Sequence, residues 1–288
     1  MTDYLDLNIY SRKCFNTRES AVKLLETICL CDEFTPDRYG WFEPIRKPFS
    51  RENMEGAIEA LLNEQGNEFE PDTPNGMVLL KRTKKPKCYY SAEWSRYKHF
   101  PFEVSCYSIE VNYVKKPSNL EKWLDLNNKL INIHEAWFAS ITLFKEEMWK
   151  NRLIYVVPKG AKDEIPGSEV QSFVGTKLNE GIPGIYWGNY FNKFYVDWLG
   201  REKFETLPCI RKEYFPDGSV FFTTAEYPWD WDTEECRKLQ RQVMEHLGKE
   251  AFFDMETFRQ TVKEKLGKNG ITDPEKLLPK VKTPKFPF

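Results

Sequence analysis

A two-residue period of apolar side chains constrains this chain more than any other feature. Leu5, Leu7 and Ile9 alternate with polar residues, and Val104, Cys106, Tyr107, Ile109, Val111 and Tyr113 mostly alternate between Phe102 and Val114. Successive side chains of a strand point to opposite faces, so alternation marks a sheet with one covered face. Strands of an all-parallel sheet, covered on both faces, run uniformly apolar instead. The pattern predicts an α+β chain: mostly antiparallel sheets with helices packed on one face.

Helical signals fall between these strands. Asn16 or Thr17 is placed to cap a helix whose stripe is Val22, Leu24, Leu25, Ile28 and Cys29. Ser50, in Ser50-x-x-Asn53, predicts the cap of a second helix carrying Met54, Ile58, Leu61 and Leu62. Residues 63–75, acidic and followed by Gly76, predict a loop. Met77–Leu80 and Tyr89–Trp94 predict strands, and the basic run Lys81–Lys87 between them predicts a solvated hairpin end. Pro117-Ser118 opens a long helix reaching about Trp137.

Residues 146–181 are the least periodic stretch and predict a connection between an N-terminal half, 1–145, and a C-terminal half, 182–288. The second half restarts with a strand-like Pro183–Trp187, then a helix capped by Asn192 and ended by Gly200. Ile210–Phe215 and Val220–Ala225 flank Pro216-Asp217-Gly218-Ser219, a hairpin whose turn residues tolerate positive φ. Asp232 or Thr233 caps a helix through Leu247-Gly248, Phe252–Leu266 predicts another, and Pro279–Phe288 an extended tail. The spacing I-Y-x4-F-N occurs at Ile9-Tyr10/Phe15-Asn16 and again at Ile185-Tyr186/Phe191-Asn192, the pattern of a duplicated βα(β)βα unit.

Forty-two basic against 44 acidic residues leave a net charge of −2, without the basic domain of a nucleic-acid binder. Met1–Tyr10 lacks the basic and apolar regions of a signal peptide. No window reaches the ~18 apolar residues of a membrane span. Seven scattered cysteines and three histidines complete no metal-ligand spacing, so free thiols in the cytoplasm, no metal and no cofactor are expected.

No dinucleotide, phosphate-loop, zinc-protease or nucleophile-elbow motif occurs, and Glu146/Glu147 read as surface charges. A non-enzymatic role is favoured. A hydrolase or transferase with a carboxylate or Cys site, Cys106 with His134 for example, is the alternative, since such sites leave no local signature. An intracellular scaffold is a third. The most unusual local segment is Tyr227-Pro228-Trp229-Asp230-Trp231-Asp232, set between a strand and a helix. Indoles beside carboxylates have the composition of a protein-binding hot spot. Tyr227, Trp229, Asp230, Trp231 and Asp232 are therefore the candidate partner-binding residues.

The stretch Gly181–Phe191, continuing to Gly200, resembles a segment of bacterial immunity proteins of polymorphic-toxin and type VI secretion systems. The residues that carry the resemblance are Gly184, Tyr186, Trp187, Asn189, Tyr190, Phe191, Tyr195 and Gly200. The Leu247-Gly248 helix end followed by Phe252-Phe253 is similar too. Asn192 departs from the pattern, where Gly is expected. The resemblance implies a non-catalytic cytoplasmic protein that binds and blocks a cognate toxin, and it carries over no catalytic residue.

Overall fold

The computed structural model describes residues 3–62, 73–96, 102–157, 167–269 and 277–288. Leu5, Leu7 and Ile9 enter β1 (Tyr4–Ser11), the hub of the sheet. Thr17 then caps α1 (Arg18–Ile28) in a reciprocal box with Ser20. Next come β2 (Arg38–Gly40), β3 (Lys47–Pro48), α2 (Glu55–Leu62), β4 (Asn75–Arg82), β5 (Cys88–Ser95), β6 (Glu103–Glu110), α3 (Val111–Val114) and α4 (Pro117–Ile133). The chain continues through β7 (Phe138–Leu143), α5 (Phe144–Asn151), β8 (Arg152–Val156), β9 (Glu169–Phe173), β10 (Gly188–Phe191), α6 (Lys193–Leu199) and α7 (Arg201–Glu205). Last are β11 (Arg211–Tyr214), β12 (Val220–Thr223), α8 (Glu234–Leu247) and α9 (Met255–Asn269).

Among the described residues ten strands form one sheet, ordered β11-β12-β10-β7-β1-β6-β5-β4-β2-β3, with every registered pair antiparallel. The α+β expectation is met. Strands from residues 1–145 and 182–288 share the sheet through β7 and β10, where Ile141 stands opposite Gly188 and Phe138 opposite Phe191. A separate hairpin, β8–β9, lies within 146–181.

One face of the sheet, carrying Leu7, Tyr107, Tyr90 and Ile141, packs against Leu24, Ile28, Leu61, Trp123 and Leu130 from α1, α2 and α4. The opposite face is covered over β1, β7, β10 and β12 by a second core, where Tyr10, Phe138, Phe191 and Phe222 meet Tyr195, Phe204 and Val243. Strands caught between two layers lose their alternation. Phe138–Leu143 is buried at all six positions, and no sequence signal placed β7 there.

Other boundaries move for local reasons. Phe102–Val114 does not stay extended. The strand ends at Glu110, and Val111 and Val114, three residues apart, bury themselves as one helical turn. Ser50 caps no helix: it closes a turn on Asn53, and α2 starts at Glu55. The long helix stops at Ile133 rather than near Trp137. Asn75 and Gly76 open β4 instead of lying in a loop. A Cβ on Gly76 would stand 2.1 Å from the Leu61 carbonyl, which accepts from Trp94 Nε1 at 2.8 Å, so only glycine fits. Ile185 and Tyr186 run as coil ahead of β10, whereas Ile9 and Tyr10 lie within β1. The basic run turns the β4–β5 hairpin and Gly218 (φ 90°) turns β11–β12, both as expected. Residues 63–72 of the acidic loop, His99, Pro158, Gly160 and Pro166 lie outside the described residues.

Candidate functional site

β7 passes into α5 without a loop, which aims Glu146 and Lys150, one helical turn apart, at the interior. Glu146 is fully buried. It accepts from Thr142 Oγ1 (2.8 Å), Gln240 Nε2 (2.9 Å) and the Trp187 amide (3.3 Å), and pairs with Lys150 Nζ at 3.2 Å. The surface-charge reading is therefore corrected for this residue: four partners compensate a carboxylate that α8 and the Trp187 loop close over. Lys150 completes its own set with Gln240 Oε1 (2.8 Å) and the Ile185 carbonyl. Burial lowers the Lys150 pKa, opposed by Glu146.

This network clamps the segment that carries the family resemblance. Tyr186 Oη donates to Asn151 Oδ1 at 2.7 Å, Trp187 Nε1 to the Ala225 carbonyl at 3.0 Å. The Asn189 amide both accepts from the Tyr186 N–H (2.9 Å) and donates to the Tyr186 carbonyl (2.8 Å), closing a local turn. Tyr190, Phe191 and Tyr195 are core residues. Asn192 caps α6 through the Tyr195 N–H, a task that its amide performs and glycine's hydrogen cannot. Gly200 ends α6 at φ 105° and Gly184 adopts φ 146° in the clamped loop. Gly184, Tyr186, Trp187, Asn189, Tyr190 and Phe191 thus build the interior beside the surface.

Tyr227, Trp229, Asp230 and Trp231 are half-buried on a 3-10 turn at Pro228–Asp230, and Asp232 is exposed. The Tyr227 and Trp229 rings stack with centroids 5.0 Å apart and 6° between planes. Trp231 lies 6.1 Å from Trp149 of α5. The inner edges of these rings pack on the core, and their outer faces meet solvent together with Trp149, which is 46% exposed. Thr233, not Asp232, caps α8 by accepting from the Cys236 N–H. Sequence reasoning found three of the four rings in one hexapeptide but missed Trp149, which no periodic signal singled out.

Trp149 also begins a cleft of about 500 Å³. Lys150 lies at its floor, Pro183–Ile185 form one wall, and Arg237, Gln240, Arg241 and Met244 of α8 form the other. Phe253, Asp254 and Arg259 also line it. Arg259 donates to the Trp149 carbonyl at 2.6 Å and the Arg152 carbonyl at 3.1 Å, fixing α9 to α5.

A second polar cluster sits on the same sheet face. Asp6 and Asn8 of β1 stand opposite Ser108 and Cys106 of β6 and opposite Thr142 and Ser140 of β7. Glu147 comes down on them from α5. Burial raises Asp6 to about 6, and burial, then the charge of Asp6, raises Glu147 to about 7. Cys106 cannot pair with His134. The adjacent Tyr107, on the other face, holds the His134 ring, which burial lowers to about 3. His246 bonds the Lys203 carbonyl at 2.8 Å. Among the described residues no group of three His, Cys, Asp or Glu could hold a metal ion, and no helix is long and apolar enough to cross a membrane.

No family model and no curated protein matches this sequence. Among solved structures the chain is similar to the Pseudomonas aeruginosa T6SS protein PA0821, with 12% identity and a TM-score of 0.49, over 83% of this chain and 72% of that one.

Proposed function

We propose that this chain is a non-catalytic, immunity-type protein that binds a cognate bacterial toxin in the cytoplasm and neutralises it by occlusion. The observation that carries the reading is a group of partly exposed rings: the Tyr227–Trp229 stack and, two residues on, Trp231 against Trp149, which lines the cleft. Indoles combine a large apolar area with few rotatable bonds, so they gain much on desolvation and lose little entropy in a complex. Pro228 stiffens the turn that presents them. Asp230 and Asp232 supply the charged rim. The resemblance of residues 181–200 supports the same reading, since the segment holds this surface in place. Seven free thiols suit a reducing compartment.

The test is co-expression with a secreted-toxin domain encoded beside this gene. Restored growth and a stable purified complex uphold the proposal; unrelieved toxicity with no complex overturns it.

The carboxylate alternative has one observation in its favour, the raised Asp6–Glu147 pair, because perturbed carboxyls cluster at functional sites. It predicts that Asp6→Asn abolishes an activity without weakening the fold.

A further inference from the structure

The cleft beside the aromatic surface contains two arginines that close no ion pair among the described residues. Arg237 and Arg241 lie one turn apart on α8 and both line it, yet among the described residues neither guanidinium forms an ion pair or a side-chain hydrogen bond. Two other cations there are engaged. Lys150 is held by Glu146, and Lys249 pairs with Asp254 at 3.1 Å. Glu234 and Glu245 stand at the ends of the same wall, three residues before Arg237 and four after Arg241, without closing on either arginine.

Two planar guanidinium forks one helical turn apart are spaced for carboxylates, which they bind bidentately and more strongly than a neutral acceptor. The cleft also has an apolar lining of Trp149, Pro183, Ile185 and Met244. A cleft of about 500 Å³ takes a few side chains rather than a whole helix.

We propose that this cleft receives an acidic loop of the protein partner: Asp or Glu side chains seated on Arg237 and Arg241, with an apolar neighbour packed between Ile185, Met244 and Trp149. This rests on the reading of the chain as a binding protein and names the chemistry of what it binds. The aromatic rings anchor the complex, and the arginine pair selects the loop. Charge at the cleft then governs which partner is accepted and how fast it docks.

The experiment is selection of linear dodecapeptides displayed on phage against the full-length protein, repeated with Arg237→Ala/Arg241→Ala and with Trp149→Ala. Arg237 is half-buried and Arg241 exposed, and among the described residues neither guanidinium bonds another group, so the double variant is expected to keep a melting curve close to wild type. Expected peptides carry two or more acidic residues beside an apolar one, and synthetic copies lose at least tenfold in affinity for the arginine variant and more than half of their affinity in raised salt. Peptides without acidic enrichment, binding unchanged by the arginine substitutions, or no peptide enriched at all overturns the inference. Peptides lost on Trp149→Ala but kept on the arginine variant overturn it while leaving the binding-protein reading intact.

Discussion

Asp6 of β1 and Glu147 of α5 lie close together, and burial holds their protons to higher pH than an unfolded chain would. Their raised values, about 6 and about 7, mean that the native state binds more protons than the unfolded state from about pH 4 upward. Stability falls with pH wherever that holds, so the pair weakens the fold progressively up to about pH 7 and no further above it. His134, lowered to about 3, acts in the opposite sense: between pH 3 and its ordinary value near 6.5 the unfolded state binds more protons, and stability rises with pH. The two trends overlap in the wild type, but a substitution separates them. Relative to wild type, Asp6→Asn should gain about 1–2 kcal/mol between pH 5 and pH 8. Urea melts at the two pH values measure it, and parallel behaviour of the two proteins contradicts it. At Gly218 the backbone itself is the constraint. With φ at 90° and Arg201 within 2.9 Å of a would-be Cβ, Gly218→Val should cost about 1 kcal/mol or more. An unchanged melting temperature would place the strain elsewhere.

The elements differ in how plainly they announce themselves. The caps at Thr17, Asn192 and Thr233 and the turn at Gly218 depend on chemistry within three or four residues, and the sequence displays them directly. β7 depends on two packing layers supplied by distant segments, so Phe138–Leu143 carries no period that sets it apart. Glu146 and Lys150 look like any charged pair until α8 and the Trp187 loop close over them. For the same reason the hexapeptide 227–232 was legible as an unusual surface, while its partner Trp149 and the arginines of α8 were not: their meaning lies in which elements the fold sets side by side. The clamp on α5 has a measurable signature. Lys150→Met leaves the Glu146 carboxylate buried without its cation, which should cost about 3–5 kcal/mol. Glu146→Gln/Lys150→Met removes both charges and should cost clearly less. Urea denaturation of both proteins decides it, and equal losses would say that the ion pair is incidental to the clamp.

At the scale of the molecule, ten antiparallel strands of the described residues, joined through β7 and β10, give a broad sheet with a core on each face, and the aromatic surface packs on the first of these, next to the cleft that Trp149 and α8 line. The central claim is that this surface captures a toxin and that its rings are anchors rather than core. The direct measurement is calorimetric titration of the toxin domain into wild type, Trp229→Ala/Trp231→Ala and Trp149→Ala, with melting curves recorded on each. Anchors of this kind lose about 2 kcal/mol or more on truncation, roughly thirtyfold in Kd, while the folded state survives. Trp149→Ala repeats the test at a ring that stands largely outside the core. Wild-type affinity in both variants, or collapse of the fold in each, would contradict the account.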